Sequence, residues 1–207
     1  MSRLVHGALT RDRSPGLRWR KVLGSGYQGG FGLRPAVDRL GLFCVFDTTD
    51  DAQHWLLGSP DLARWQMRAQ SMLTLTLQAT RSRGSWSGHS LEPVPGEDGE
   101  GLLASLTRAS IRPGQARRFW ALSPAAEASL ARAPGCSLAV GLGEAPLLRQ
   151  ATFSLWQSAA SMDAFARSGA HLEAIQQAYS REFFSESMFV RFRVLQMQGN
   201  LRDMARD

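Results

Sequence analysis

The sequence predicts an α+β protein made of two copies of one βαββαβ unit. Three observations lead there: the order of elements after residue 101, a similar order in the first 90 residues, and a Pro/Gly/acid-rich stretch at 91–101 that separates them. A βαββαβ order is the ferredoxin-like pattern, and two such units can pack their sheets face to face. We therefore expect duplicated ferredoxin-like units forming a pseudo-dimeric α/β barrel.

The second half contains the full set of elements. Period-2 alternation of apolar residues predicts strands, and 3.6-residue periodicity predicts helices. The predicted strands are Leu102–Ala109, Ser137–Gly143, Ala151–Trp156 and Phe189–Met197. The predicted helices are Pro113–Leu122, Pro124–Arg132, Ala159–Arg167 and Ala170–Ser180.

The first half repeats part of this pattern. Gly16–Gly24 resembles Gly135–Gly143, and Phe43–Asp47 resembles Phe153–Gln157. Both halves end in a β-rich run, which is Met72–Ala79 in the first half. About fifteen residues precede Gly16, too few for a strand and a crossover helix. The first unit therefore lacks its first strand in this prediction, which leaves a sheet edge that a second copy of the chain could cover.

These boundaries divide the chain into an N-terminal half at 1–90, a linker at 91–101, a C-terminal half at 102–198 and a tail at 199–207. No apolar run approaches the roughly 20 residues that cross a bilayer, so we expect a cytoplasmic protein that can contact a membrane surface. The formal charge is +6, but only Lys21 among 24 basic residues is lysine, and the arginines are spread along the chain. No nucleic-acid partner is expected from that distribution.

Few residues could carry chemistry. The four histidines lack HxxxH or HExxH spacing, which argues against a zinc hydrolase. Cys44 and Cys136 lie in apolar strand-like runs and are expected to be free thiols. The glycine-rich segment 24–32 links two strands, so we expect a flexible hairpin loop rather than a phosphate cradle. Asp47–Asp51 is expected to cap the next helix.

His171 is the main candidate for a site that needs one histidine. On a helix beginning near Ala170 it shares the inward face with Ala174, Ile175 and Ala178. The positive end of the helix dipole disfavours imidazolium there, which keeps a nitrogen lone pair available. Small alanines beside it leave room for a flat haem. A core histidine that is hydrogen-bonded to backbone is the other interpretation, and the residues alone favour it.

Aromatic and arginine side chains surround this candidate in the sequence. Trp156, Phe165, Phe183, Phe184 and Phe189 are candidates for an apolar substrate pocket, although periodicity already explains most of them as core. Phe183 and Phe184 fall in a break before the last strand, where a pocket lip is conceivable. Arginines at element ends, namely Arg108, Arg149, Arg167 and Arg191, are candidates for haem propionates or, more commonly, for surface ion pairs.

Several motifs, in order from about Gly16 onward, resemble the spheroidene monooxygenase family of the bacterial carotenoid pathway. They are Arg81–Gly88, Leu106–Pro113, Phe119-Trp120, Gly141–Pro146, Gln150–Trp156, Phe165–His171 with Glu173-Ala174-Ile175, Phe184–Glu186 and Phe189–Leu195. Members of the family usually start earlier, and they often carry Pro and Trp where this chain has Ala170 and Phe183.

The resemblance implies a haem-dependent monooxygenase that introduces a keto group into an acyclic, spheroidene-like carotenoid with O2 and electrons from reduced ferredoxin. In that interpretation His171 is the axial iron ligand, and Arg108, Arg149 and Arg167 are candidates for the propionates. Trp156, Phe165, Phe183, Phe184 and Phe189 then form the substrate wall. Two alternatives stay open: a cofactor-free oxygenase of the same fold, and a non-catalytic haem- or lipid-binding protein. A homodimer and peripheral membrane contact are further expectations.

Overall fold

The protein folds around one seven-stranded antiparallel sheet, described here from a computed structural model. The structure describes residues 14–96, 98–145, 147–167, 169, 172–173, 176–177 and 182–204. The strands are β1 (Leu17–Gly26), β2 (Pro35–Phe46), β3 (Thr74–Gly84), β4 (Leu103–Ile111), β5 (Cys136–Ala145), β6 (Arg149–Trp156) and β7 (Phe184–Gln198). Helices with bounds in this part of the chain are α1 (Thr49–Gly58), α2 (Pro60–Gln66), α3 (Ala116–Ala131) and α4 (Ala159–Ala166). Short 3-10 turns lie at Tyr27–Gly29, Pro113–Gln115 and Leu201–Met204.

The strand order β2-β1-β5-β6-β4-β7-β3 confirms the duplicated ferredoxin-like fold. Within the second half the order is β5-β6-β4-β7. The first strand of the unit, β4, therefore lies between the third, β6, and the last, β7, as in a ferredoxin-like unit. The first half contributes β1, β2 and β3 among the described residues, and these take the places of β5, β6 and β7. A strand equivalent to β4 would fall between β2 and β3, which are the two edges of the sheet.

The sheet curls so that its two edges approach one another. Phe43 on β2 stacks on Trp86, just beyond β3, with ring centroids 5.7 Å apart. Phe43 also lies 6.2 Å from Phe192 on β7. Strands at opposite ends of the order therefore share one interior, as expected for a barrel.

Alternation along the strands produces two separate cores. The inner core packs side chains from both halves, including Leu23, Trp86, Leu106, Leu155 and Val190. The outer core lies between the sheet and the helices and includes Phe31, Leu103, Leu130, Trp156 and Met162. On β4, Leu103 faces the helices while Ala104 and Leu106 face inward, which is the period of two that the sequence predicts.

Two boundaries differ from the sequence prediction. A single helix, α3, runs through Pro124, where the sequence predicts two helices. Proline in a helix costs roughly 3 kcal/mol, and packing of the helix on the outer core offsets it. Strand β7 begins at Phe184 rather than Phe189, since Met188 pairs with both Gly84 and Arg108 and extends the ladder.

The segments between elements are packed against the sheet. The glycine-rich loop crosses β5, where a Cβ on Gly141 would come within 2.2 Å of the Gly30 carbonyl oxygen. Phe31 is buried, and its backbone N–H donates to Glu127, so this loop is anchored rather than flexible. Thr48 caps α1 by accepting from the Asp51 N–H, with Asp50 and Asp51 in the first turn, as predicted. In the segment 91–101, Val94 N–H donates to the Ala79 carbonyl oxygen and Asp98 is buried.

Candidate functional site

Four charged side chains and one tryptophan inside the barrel form what we call the interior network: Lys21, Arg108, Glu144, Glu186 and Trp86. Arg108 is 2% exposed and pairs with both carboxylates, at 3.2 Å from Glu144 and in close contact with Glu186. Lys21 Nζ lies 3.1 Å from Glu144, and Trp86 Nε1–H donates to Glu144 at 2.9 Å. Two cations and two carboxylates thus neutralise one another around one indole ring.

The charged residues of this network on β4 and β7 lie at inward-facing positions of those strands. Arg108 continues the row of Ala104 and Leu106 on β4, and Glu186 continues the row of Met188 on β7. The guanidinium carbon of Arg108 lies 5.7 Å from the Trp86 ring centroid, and Lys21 Nζ lies 5.8 Å from it. Arg108 Nε is buried with no hydrogen-bond partner. The network therefore combines ion pairing with cation–π contact around a buried arginine and a buried tryptophan.

Glu186 also shapes the loop that follows β3. It accepts from Ser85 Oγ at 2.9 Å and from the Gly88 N–H at 3.0 Å. Positive φ angles at Ser87 (53°) and Gly88 (78°) form the tight turn, and a β-bridge joins Trp86 to His89. His89 stacks on Trp19 with centroids 5.4 Å apart. The loop carrying Trp86 and His89 is thus fixed by one carboxylate.

Hydrogen bonding holds both carboxyls of the network in the charged form. Burial raises the pKa of Glu186, but hydrogen bonds from Gly88, Ser85, Ser87 and Arg108 outweigh it and lower the pKa to about 2. Burial likewise raises the pKa of Glu144, and bonds from Trp86 and Lys21 reverse the effect, so that this pKa lies below its ordinary value. Both groups are ionised at neutral pH.

Acid should weaken the fold through these groups. Because the pKa of Glu186 is about 2 in the folded protein and 4.5 ordinarily, the unfolded chain binds its proton first as pH falls. The contribution to stability is complete above about pH 5 and is lost as pH falls toward 2. Urea unfolding at a series of pH values should show this decline. In Glu186→Gln the decline should be shallower, and an equally steep curve in that variant would contradict the assignment.

A second buried ion-pair group lies on the outer face. Arg191, 6% exposed, donates to Asp98 at 2.6 Å and also to Asp163 of α4. Burial raises the pKa of Asp98, and the bonds from Arg191 and Thr80 lower it below its ordinary value. The arginine therefore fastens α4 and the 91–101 segment to β7. Arg191 is a buried structural residue, not a surface one.

A groove of about 890 Å³ runs between α3 and α4 on the outer face. Its lining is mostly small: Ala125, Ala128, Ser129, Arg132, Ala133, Pro134, Ala160, Ser161, Ala164 and Phe165. Phe165 packs on the buried Trp156 with centroids 5.3 Å apart. A Cβ on Gly169 would lie 3.9 Å from Ser129 Oγ, which places the residue after α4 beside the groove.

The predicted cofactor residues are distributed over different faces. His171 lies outside the described residues. Arg108 is inside the barrel, across the sheet from the groove, and is occupied by two carboxylates. Arg149 is exposed at the start of β6. Arg167 comes one turn after Ala164, which with Ala160 lines the groove from α4, and it pairs with Asp163. None of these three arginines lines the groove, and Arg167 is the one that follows a groove residue, Phe165, by two positions.

The predicted pocket aromatics lie in three places. Phe165 lines the groove and packs on Trp156, which is buried beneath it. Phe183 is 1% exposed and contacts Phe184, which packs on Phe119 at the opposite end of the strands. Phe189 lies on the outer face of β7, 39% exposed. The aromatics therefore do not form one continuous wall in the part of the chain that the structure describes.

Metal-binding clusters are not found in the described part of the chain. No group of three or more His, Cys, Asp or Glu side chains there could hold an ion. Cys44 and Cys136 are half-buried and are not joined in a disulfide, and burial raises the pKa of Cys136. A haem needs one axial side chain, so these observations bear on polydentate sites alone.

Four members of the interior network, Lys21, Trp86, Glu144 and Glu186, were not predicted from the sequence to be site residues. A signal was present nonetheless, since the motifs containing Trp86, Arg108, Glu144 and Glu186 are those that carry the family resemblance. Their distances along the chain hid the fact that they meet. The fold converts four dispersed motifs into one network.

Comparison with known sequences decides the family. No family model matches the chain. A spheroidene monooxygenase of Rubrivivax gelatinosus is 49% identical over 197 residues, covering 95% of this chain and 76% of the relative. The chain belongs to the spheroidene monooxygenase family. A second member, from Rhodobacter capsulatus, is 32% identical over 97% of this chain and 85% of its own length. The protein is accordingly an enzyme, a monooxygenase.

Solved structures resemble this spheroidene monooxygenase family member only distantly. A candidate monooxygenase from Fusobacterium nucleatum is 9% identical, covers 96% of this chain and 84% of its own, and has a TM-score of 0.46. A variant of SnoaB, a cofactor-independent oxygenase from Streptomyces nogalater, is 16% identical, covers 46% of this chain and 95% of its own, and has a TM-score of 0.39. Within the described residues, no helix is long and apolar enough to cross a membrane.

Proposed function

We propose that the enzyme introduces a keto group into an acyclic, spheroidene-like carotenoid, using O2, a haem and electrons from reduced ferredoxin. The observation that carries the proposal is the 49% identity to the Rubrivivax gelatinosus relative over 95% of the chain. Oxidation of a methylene to a ketone by monooxygenation takes two turnovers. Each inserts one oxygen atom and reduces the other to water with two electrons and two protons, and the resulting geminal diol loses water.

The groove between α3 and α4 fits a flat macrocycle. Its volume of about 890 Å³ lies within the range of cofactor sites, roughly 300–1,000 Å³. Small side chains on both helices leave space between them, and Phe165 over Trp156 supplies an aromatic floor. The segment containing Gly169, two residues before His171, passes beside this groove.

We propose that His171 would hold the iron of a haem. Arg132 lines the groove, and Arg167 follows two residues after the groove residue Phe165, so both are candidates to pair with the propionates. Arg108 and Arg149, the other arginines of the cofactor prediction, are less suited to one clamp because they lie on other faces. When bound, haem supplies the one-electron chemistry that dioxygen needs to react with a closed-shell hydrocarbon.

The chain's own contribution is to bind an apolar polyene and to exclude water. Phe165 lines the groove over the buried Trp156, and Phe183 and Phe184 lie at the other end of the strands. Phe189, partly exposed on the outer face of β7, is a separate candidate contact for the polyene. Burial of polyene surface contributes about 25 cal/mol per Å² to binding.

Ferredoxin, homodimer formation and peripheral membrane contact are further parts of the proposal. A second copy could pair with β2 or β3, because both are edge strands of the described sheet. Reduced ferredoxin is the proposed electron source because each turnover needs two electrons.

Conversion of spheroidene by the purified enzyme tests the proposed function. With reduced ferredoxin and O2 we expect first a hydroxylated and then a ketocarotenoid, with oxygen from 18O2. Mass spectrometry follows the label. Product formation by a haem-free preparation would support a cofactor-free oxygenase instead. Haem binding without any product would support a binding protein.

A further inference from the structure

One end of the barrel carries exposed apolar residues surrounded by arginines, which we call the arginine-rimmed tip: Leu147, Leu148 and Trp120 with Arg112, Arg117, Arg118 and Arg149. Leu147 is 48% and Leu148 37% exposed at the end of the β5–β6 connection. Trp120 Nε1–H donates to the Leu147 carbonyl oxygen at 2.9 Å, and the Ile111 N–H donates to that of Leu148 at 2.7 Å. These bonds bring the loop, the end of β4 and the start of α3 together.

The arginines of the tip are exposed and are not neutralised. Arg112 follows Ile111, and Arg149 follows Leu148 and pairs with Ser110 in the ladder, so both flank the apolar residues. Arg118 bonds to Gln115, but none of the four arginines forms an ion pair with a side chain that the structure describes. Glu182, exposed beside Phe183, is one acidic residue close in sequence to the tip, against four arginines. The tip therefore carries a net positive charge.

Helix α3 adds an unusual placement of charge. Arg117 and Arg118 lie in its first turn, which contains no acidic residue. Cations at this end oppose the helix dipole, so the arrangement does not serve helix stability. An external anionic partner would compensate this charge.

We propose that the arginine-rimmed tip docks onto the surface of an anionic phospholipid bilayer. Leu147, Leu148 and the Trp120 ring enter the interfacial region, and the guanidinium groups of the rim contact lipid phosphates. Exposed leucines next to a half-buried tryptophan and unpaired arginines match this partner in both chemistry and arrangement.

The apolar apex favours a bilayer over an acidic protein. An acidic protein such as a ferredoxin would complement the arginines, but it would leave Leu147, 48% exposed, without an apolar partner. The tip also adjoins Phe119, Phe184 and Phe183, so docking would face this aromatic cluster toward the lipid phase. Docking specifies the membrane contact of the proposed function, and delivery of a polyene from the bilayer rests on the proposed oxidation.

Vesicle co-sedimentation tests the proposal with the full chain and no substrate or reductant. The protein should bind phosphatidylcholine vesicles that contain phosphatidylglycerol, should bind pure phosphatidylcholine weakly, and should dissociate at high salt. Arg117→Ala and Arg149→Ala should each lower the partition coefficient roughly fivefold. Leu147→Asn with Leu148→Ser should lower it at least roughly tenfold, and asparagine tolerates the positive φ of 70° at position 147.

Matched surface variants serve as controls. Leu57, 90% exposed on α1, and Arg68, exposed after α2, lie in the first half, so Leu57→Ser and Arg68→Ala should leave binding unchanged. Equal losses in these controls would overturn the proposal. It would also be overturned if the arginine variants bound vesicles normally but lost ferredoxin-dependent turnover. Vesicle binding without any ketocarotenoid product would refute the proposed function and leave docking intact.

Discussion

Replacing His171 with alanine should abolish haem retention and ketocarotenoid formation. Removal of residues that only orient a metal ligand costs about 10- to 100-fold in affinity, so loss of the axial ligand itself should cost at least about 100-fold. The Soret band of the purified variant, and product formation under the same assay, are the measurements. Exogenous imidazole should restore part of the Soret band in His171→Gly.

Other histidines provide the controls for this experiment. His54 is exposed on α1, and His89 stacks on Trp19 in the loop fixed by Glu186. We expect His54→Ala to keep haem and activity, and its haem-free form to have the same thermal midpoint as His171→Ala, because bound haem itself raises the midpoint. A full Soret band in His171→Ala would refute the ligand assignment. Loss of the band together with a thermal midpoint below that of the haem-free wild-type protein, and no imidazole rescue, would identify a core histidine instead.

The fold class could be predicted because alternation and element order are local properties of the chain. Ala104 and Leu106 alternate with Ser105 and Thr107, and the structure places them on opposite faces of β4. The correspondence of Gly16–Gly24 with Gly135–Gly143 also held, since β1 and β5 occupy equivalent places in the two halves. The start of α1 was also predictable from the local sequence, because its cap, Thr48, lies within the predicted capping segment Asp47–Asp51.

Element ends were harder to predict where tertiary contacts override local preference. Glu186 sits at an inward position and interrupts the apolar pattern, which is why β7 was expected to start at Phe189. Pro124 predicts a break, but α3 continues through it along the outer core. The start of β7 and the break at Pro124 were both mispredicted because a short stretch of sequence does not show which residues are buried against another element.

The interior network could not be predicted because it is assembled by topology. Arg108 and Glu186 are brought together by the β4–β7 ladder, and Glu144 reaches them from β5. Each residue, read alone, resembles an ordinary surface charge. The two halves also differ chemically: Asp61, near the first-half counterpart of His171, pairs with Arg20 and Arg64. The proposed haem site is therefore confined to the second half.

Replacing Arg108 with methionine should destabilise the protein by about 3–5 kcal/mol, because it leaves two partly buried carboxylates without their shared, buried partner. Glu144 keeps Lys21 and Trp86, and Glu186 keeps Ser85 and Gly88, so the lower end of this range is expected. For a chain of this size the thermal midpoint should fall by roughly 6–12 °C. Urea unfolding at neutral pH measures the free energy.

Two further variants separate the causes. Arg149→Met removes an exposed arginine and should change stability by less than about 0.5 kcal/mol. Adding Glu186→Gln to Arg108→Met should recover part of the loss, since a neutral amide is cheaper to leave unpaired than a carboxylate. A loss below about 1 kcal/mol in Arg108→Met would contradict a structural role for the network. Haem loss from Arg108→Met at unchanged stability would instead support the propionate role that the sequence suggested. A residue that stabilises the fold changes the free energy of unfolding, whereas a residue that binds the cofactor changes haem retention.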